Sequence, residues 1–598
     1  MKFKLILIAL LIIILCNIFF FSAESNEQKI EYSINTEQEI FSVKINLEPY
    51  SEIYEGDIIN CEITGEPTEK YWYINNQKPH NLFYGDDAVI FDPEPTPLDE
   101  EYVELKVEIK NGNDFASDTV KVKIKRIYFG DIHWHSTLCD GMNSIDKMYE
   151  NAIKDNYLDF ASYSGHAEWI DGIRKSYLKP KRMFGSLFYL KVVVQNIIQN
   201  KLKRKSDWDI AKQKAIEYYK EGKFTTFLGF EWTACENPNF HINFYYKDVY
   251  PEAGVYSSPD VLDQTNSRAT LDDIFKTMSE EWDKGHLNVG FPHHPQHVKT
   301  DWSYFANEVD NSNVNKILRG VEVFSTWGTA IGQEYTPNLP YNWPYTFIDV
   351  QYLKNAWAEN AMWEWATENK KGERFALMAS SDIHTQSRPG SAKSSAHDIS
   401  YPYNPAGVIA AYSVHNSREE IWDAMNTCKI YASQLLKIRA NVKINCSSLY
   451  DGELAYGNWI NCTSPLKIRI TALSTFPGDD NSGKTMCPHG YSKDELDYPI
   501  SDIWLIKNDK VKGQPWCKII EHIEPNDDLV VATFEDPNVE PYDFYWVAIR
   551  QKGNLLTPDN IPFLIKIRPR KYKKWTEDIG NRDEYMAFIG PIFIDNVN

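Results

Sequence analysis

Three absences narrow this chain before any motif is read. It lacks a basic excess: 63 Lys and Arg stand against 84 Asp and Glu, a formal net charge of -21 with pI near 5.2. A domain that neutralises nucleic-acid phosphates carries a basic face, so no nucleic acid is expected as a partner. No Cys-x-x-Cys pair occurs among its 9 cysteines, which argues against a cysteine zinc site. Beyond the first two dozen residues, no apolar run is long enough to span a bilayer.

What is present points to an exported, folded protein. The hydrophobic fraction is 43% and the aromatic fraction 14%, ample for several packed cores and contrary to disorder. Lys2 and Lys4 precede an apolar stretch from Leu5 to Phe21, followed by Ser22 and Ala23. That is the pattern of a secretory signal peptide over residues 1–23, with an uncleaved N-terminal anchor as the alternative. The expected location is periplasmic, extracellular or anchored to the outer face of the cytoplasmic membrane, and the N-terminus offers association with a membrane surface. An oxidising compartment permits disulfides, and Cys446 with Cys462 and Cys487 with Cys517 are candidate pairs.

Three regions follow. Residues 27–126 alternate apolar and polar positions in short runs such as "FSVKINLEP" and "DTVKVKIK", the pattern of an immunoglobulin-like β-sandwich. Over 127–434, apolar runs alternate with helix-length segments ("RIYFG", "NSIDKMYENAIKDN", "LDFASYS"), which predicts βα units around a largely parallel sheet, an α/β barrel-like domain. Residues 435–598 return to strands without long helices, predicting a β-sandwich-like C-terminal domain. The basic, amphipathic segment 169–211 reads as an elaborated connection packed on the barrel, or as a lid or membrane-facing surface.

The residues able to hold metal fall at or just beyond predicted strand ends. His133, His135 and Asp140 follow "RIYFG"; His166 and Glu168 follow "LDFASYS"; Glu231 ends "FTTFLGF" and His241 opens the next strand. His293 and His294 follow "LNVGF", Glu322 lies inside "GVEVF", and Asp382 with His384 follow "FALMAS". Side chains at i and i+2 of an extended chain share a face, so His133 with His135, and Asp382 with His384, can converge on one ion. C-terminal strand ends of a barrel ring a single mouth, where such residues meet. Imidazoles mixed with carboxylates suit Zn, Mn or Fe, and a carboxylate such as Glu231 can bridge two ions that activate water for displacement at phosphorus. His80, His397, His415, His489 and His522 read as structural or solvated, and His286 and His297 as helix-end and loop residues.

The ordered motifs "FGDIHWHS…CDG", "LDFASYSGHAE", "FLGFEW", "FPHHP" and "MASSDIH" resemble those of the PHP (polymerase and histidinol phosphatase) metallohydrolases. With "SSDIHTQSRPGSA" and "GVIAAYSVHNSREEIWDAMNTCKIYAS", they resemble its exported branch known as domain of unknown function 3604. The resemblance implies a distorted (β/α)7 PHP-type barrel, flanked by the two β-rich regions, with two or three divalent ions at its mouth. It implies that His133, His135, Asp140, His166, Glu231, His293, Asp382 and His384 are metal ligands, with His241 at an additional position. Where the family has Thr-Asp-His, this chain has Ser164, Gly165 and His166, so one carboxylate is missing; Asp159, Glu168 and Asp171 are candidate substitutes.

The expected activity is hydrolysis of an ester bond, foremost a small-molecule or glycan-linked phosphoester. Glu231 and His384 would serve the reaction, and Arg388 is a candidate clamp on phosphate oxygens through bidentate contact. Trp134, Trp169, Trp232 and Trp327 flank the motifs and would either stack on a sugar or aromatic group or pack in the core. The alternative is a catalytically impaired metal-binding protein, or one that binds a cell-surface glycan or protein.

Overall fold

The computed structural model describes residues 41–78, 82–83, 87–154, 158–170, 206–234, 241–257, 270–293, 311–325, 328–331, 357–367, 374–384, 407–434, 437–445, 454, 456–462, 464–474, 499–509, 516–552 and 584–597. The N-terminal segment, Arg388, Trp327, His294, Asp171, Cys446, Cys487, most of 169–211, and His80, His297, His397 and His489 lie outside these residues. Among the described residues, no helix is long and apolar enough to cross a membrane.

Alternation builds the N-terminal region. In the strand Val103–Asn111, Val103, Leu105, Val107 and Ile109 are buried while the Glu and Lys residues between them face outward. That period of two places one face against Trp72, Ile59 and Ile90. The strand pairs antiparallel with Glu69–Ile74 on one side and with Asp114–Asp131 on the other.

The 18-residue strand Asp114–Asp131 changes character along its length. Its first half alternates, but from Ile127 to Asp131 every residue is buried. There it enters the central sheet, parallel to Phe160–Tyr163 and antiparallel to Gly407–Ser413. Ile127 and Phe129 join the apolar cluster on one side of the sheet, and Tyr128 and Ile132 the cluster on the other. A strand covered on both faces reads as a continuous apolar run, as "RIYFG" does.

The protein is mixed α/β and dominated by strands, with few helices. A closed (β/α)7 barrel does not form among the described residues. Two features depart from the expected βα repeat. Only residues 234–240 separate Thr225–Thr233 from His241–Tyr246, whereas a parallel return needs a crossover of about a dozen residues or more. The second strand therefore runs antiparallel to the first, and Asn288–Pro292 runs antiparallel to it in turn. The strands Gly320–Ser325 and Ala376–Ala379 form a parallel pair of their own. Among the described residues its flanks meet the other strands through the bridges Gly290 to Leu318 and Trp134 to Ile383 and through the Gly407 N to Ser380 O bond (3.1 Å). The central sheet also continues past residue 434: Ile430–Gln434 pairs with Glu584–Val597, which leads on to Phe544–Lys552, Ile500–Asn508 and Cys517–Ile523.

A buried ionic joint ties these layers together beside the long strand. Glu55 is fully buried and accepts from the Ile127 amide (2.8 Å) and the Asp92 amide (2.9 Å). Arg439 reaches both Glu55 (2.5 Å) and Asp92 (2.9 Å), and Arg126 also meets Asp92 at 2.5 Å. The Arg439 guanidinium lies over the Phe129 ring, two residues from the end of the strand.

Candidate metal centre

Six histidines and several carboxylates converge where the central strands end. His133 and His135 lie just past Asp131, and their ring nitrogens point the same way because the chain is extended there. Trp134 between them turns the other way and packs on Tyr149 and Tyr163 with its side chain fully buried. Trp232 is also fully buried, so both serve the core and neither can stack on a ligand; Trp169 is partly buried against that core.

Glu231 is the hub. Its Oε2 lies 3.2 Å from His135 Nε2 and 3.7 Å from His133 Nε2. Its Oε1 lies 3.1 Å from His166 Nδ1 and 3.2 Å from His293 Nε2, and it also meets His241 Nδ1. Asp382 Oδ1 faces His133 Nε2 (3.3 Å), His135 Nε2 (3.2 Å) and His384 Nδ1 (3.5 Å). Asp140 contacts His135 Nδ1 (3.0 Å), His384 Nε2 (3.3 Å) and His166 Nε2 (3.5 Å). Four overlapping groups have ligand atoms within 4.8 Å of one another: His135, Asp140, His166 and His384; His133, His293 and Asp382; His133, His135 and Glu231; His166, Glu231 and His241. The structure thus draws together all nine residues expected as ligands.

The route by which Asp382 arrives differs from the expected one. The strand Ala376–Ala379 stops three residues earlier, and Asp382 has φ of 53°, the left-handed region that is uncommon outside glycine. Asp382 and His384 therefore meet the cluster from a turn, not from one face of a strand. The turn is held by Asp382 N to His133 O (2.7 Å) and His135 N to Ile383 O (2.9 Å). His384 stacks on His135 with ring centroids 3.7 Å apart.

Outer partners orient the rings. Glu322 Oε2 sits 3.0 Å from His133 Nδ1 and accepts from the Ser380 hydroxyl. A carboxylate on Nδ1 selects the tautomer that leaves Nε2 as a lone pair. Asp131 Oδ1 accepts from the amides of His133 (3.2 Å) and Ser381 (3.1 Å), clamping the two ligand-bearing loops together. In the sequence Glu322 is one of the residues able to hold metal, with nothing to single out this orienting role, and Asp131 carries no signal beyond being the last residue of "RIYFGD". The Cys139 thiol lies 3.5 Å from His135 Nδ1.

Gly165 has a steric cause. A Cβ there would sit 2.1 Å from the Tyr163 hydroxyl oxygen and 2.6 Å from Cys139 Sγ. The room a side chain would need is filled by these two buried groups. Asp159 does not take the place of the missing carboxylate, since its Oδ2 accepts from the Phe129 amide at 2.7 Å. Glu168 Oε1 accepts from the Thr233 amide at 3.2 Å, and burial pushes this carboxyl up to about 7.

The electrostatics fit a cation. Burial disfavours charge on His133, but Asp382, Glu231 and Glu322 outweigh it and raise the imidazole to about 10. His166 is raised to about 10 against burial by Glu231 and Asp140. Burial and the neighbouring His133 lower His293 to about 3, leaving it a neutral donor. Despite burial, the surrounding histidines hold Glu231, Asp140 and Asp382 well below the usual carboxylate range. His133 Nε2, His135 Nε2 and Glu231 Oε2 are buried and have no hydrogen-bond partner among the described residues. Protons satisfy such a convergence of lone pairs poorly, whereas a divalent ion accepts all of them. The floor of the cluster is closed, with His133, Glu231 and Asp382 at most 2% exposed, while His166, His241, Asp140 and His384 are 15–24% exposed and open it to solvent.

The described histidines away from the cluster, His286, His415 and His522, have local partners. His415 bonds to Glu420 (2.7 Å) and the Glu100 carbonyl (2.8 Å), and His286, just past the helix Leu271–Asp283, bonds to Glu281 at 2.8 Å. His522 pairs with Asp502 at 3.0 Å and stacks on Trp504.

Fold and site together define a strand-rich α/β protein with a buried His/Asp/Glu cluster suited to divalent metal. The profile of a family described as "Protein of unknown function (DUF3604)" matches residues 179–314, a minority of the chain that includes Glu231, His241 and His293. No curated protein matches the chain. Among solved structures, it is similar to a two-domain protein from Bacteroides vulgatus ATCC 8482 described as containing a predicted PHP-like metal-dependent phosphoesterase. The identity is 13%, over 72% of this chain and 90% of that one, with a TM-score of 0.30. A similarity at that level carries no argument here.

Proposed function

We propose that this chain is a metal-dependent hydrolase of ester bonds, foremost a phosphoesterase. The observation that carries the proposal is the buried convergence of His133 Nε2, His135 Nε2 and Glu231 Oε2 without hydrogen-bond partners. His133, His135, Asp140, His166, Glu231, His241, His293, Asp382 and His384 would hold two or three Zn, Mn or Fe ions. Bound there, such ions supply Lewis acidity that lowers the pKa of water and neutralises charge developing at phosphorus. Glu322 and Asp140 hold the paired imidazoles in orientation, and the closed floor excludes bulk water from Glu231 and Asp382. His384 and His166, on the open side, stand where a substrate phosphate would arrive; Arg388 is the proposed clamp on its remaining oxygens. The proposal includes export, on the strength of the residue 1–23 pattern, and a small-molecule or glycan-linked substrate.

The test is a panel of phosphomonoesters, phosphodiesters and sulfate esters with Mn or Zn, comparing wild type with His133→Ala. Turnover of a phosphoester that the substitution abolishes is expected. No turnover, or equal turnover by both proteins, would sink the catalytic reading. Gly165, which stands where the resembling motif carries an aspartate, favours a second reading, a metal-binding protein that recognises a surface glycan or protein. Bound metal with no hydrolysis of any ester supports that one.

A further inference from the structure

Far from the metal cluster in sequence, three side chains meet under the C-terminal sheet. Lys507, Asp536 and Asp543 are 6%, 7% and 0% exposed. Lys507 Nζ lies 2.7 Å from Asp543 Oδ2 and 2.8 Å from Asp536 Oδ2, and donates to the Asn538 carbonyl at 2.8 Å. We propose that Lys507 and Asp543 condense to an intramolecular amide, an isopeptide bond joining the strand Ile500–Asn508 to the residue just before the strand Phe544–Lys552, with Asp536 carrying the proton.

The backbone holds the reacting groups in place. Lys507 pairs with Tyr545 in the antiparallel ladder of Ile500–Asn508 and Phe544–Lys552. Phe544 N donates to Asn508 Oδ1 (3.0 Å), and Ile594 N to the Asp543 carbonyl (2.8 Å), so both chain segments are fixed on either side. Such positioning replaces an encounter between separate amine and acid and so removes the entropic part of the barrier to amide formation. The two carboxyls are also differentiated. Asp536 accepts from Lys507, from the Tyr545 hydroxyl (2.7 Å) and from the Asn538 amide (2.8 Å), bonds that hold its oxygens beside the ammonium, in the position from which a proton can be relayed. Asp543 accepts from the Glu540 amide at 2.7 Å on the same oxygen that faces Lys507, and this N–H would polarise it towards attack.

The atoms balance without any further reactant. The Lys507 ammonium passes a proton to Asp536, and the freed amine attacks the Asp543 carboxyl carbon. The new C–N bond forms as one C–O bond breaks, and the oxygen leaves as water carrying two of the three original ammonium protons, one of them by way of Asp536. One buried positive and one buried negative charge disappear, which removes their desolvation cost.

The proposal is independent of the hydrolase reading. Its test is a protease digest of the reduced full-length chain read by mass spectrometry. A branched peptide joining the segments around Lys507 and Asp543, one water lighter than their sum, is expected, with both linear peptides depleted. Full recovery of the linear peptides without the branched species would overturn it, whatever any variant does. Asp536→Asn, checked for folding by circular dichroism, is expected to lose the branched peptide. Wild-type yield in that variant would overturn the role given to Asp536.

Discussion

Two buried clusters of charge stand beside the same long strand, one along it and one just past its end, and they are resolved in opposite ways. At the joint, two arginines face two carboxylates, and backbone amides take up the remaining oxygens of Glu55. At the strand's end, Glu231 and Asp140 pair only with histidines among the described residues, and several ring nitrogens point at one another's carboxylates instead of at donors. The first cluster is complete as protein. The second is suited to completion by divalent cations, and the comparison teaches that buried charge by itself does not mark a site. What marks one is convergence of acceptors that no protein donor answers.

The largest break in this comparison is Arg439→Ala. It leaves Glu55 buried and short of its countercharge, which costs about 3–5 kcal/mol of folding stability. Denaturant unfolding should show that loss, while metal stoichiometry measured on the folded protein stays at the wild-type value. Glu231→Gln should do the reverse: metal affinity by calorimetry falls by more than about 100-fold, above the range for outer partners, with a smaller change in the metal-free unfolding midpoint. Glu322→Gln removes only the partner of His133 Nδ1, so a loss of about 10–100-fold in metal affinity or turnover is expected.

Acidity separates the loaded and metal-free forms. His133 and His166 have folded-state values raised from 6.5 to about 10 in the metal-free chain. The stability they contribute is fully present below 6.5 and is lost as pH rises towards 10. Metal displaces those protons, so metal affinity should rise over the same interval. Unfolding midpoints with and without chelator should therefore diverge as pH increases. If the two curves run parallel, the histidines are not the groups that metal deprotonates. The smallest effect expected is that of Gly165→Ala, whose Cβ meets Tyr163 and Cys139; overpacking of this kind costs about 1–3 kcal/mol, read as a lowered unfolding midpoint.

Particular residues show how far the sequence could be read. His133 and His135 share a face of an extended segment, but that spacing alone is a weak signal, and they became legible as ligands only beside the residues at the other strand ends. Asp140, His166, Glu231, His241, His293, Asp382 and His384 were legible as a set because they recur at strand ends. Glu322 and Asp131 were not assigned roles, since a carboxylate that orients a ligand looks like any other acid until its neighbour is known. The antiparallel turn of His241–Tyr246 was hidden behind an expectation of repeating βα units, although its short connection contained the answer. Arg388 lies outside the described residues, so its proposed clamp rests on its place in "HTQSRPGSA" and on guanidinium chemistry.

The sequence by itself determined what is local: alternation in Val103–Asn111, the continuous apolar run before His133, and the donor types at each strand end. These follow from periodicity and side-chain chemistry, which need no partner to be known. Only the tertiary structure decided which acceptors face one another, that Asp382 arrives from a left-handed turn, and that Tyr163 with Cys139 leaves Gly165 no room. Those outcomes depend on distances between segments remote in the chain, and such distances are set by how the layers pack.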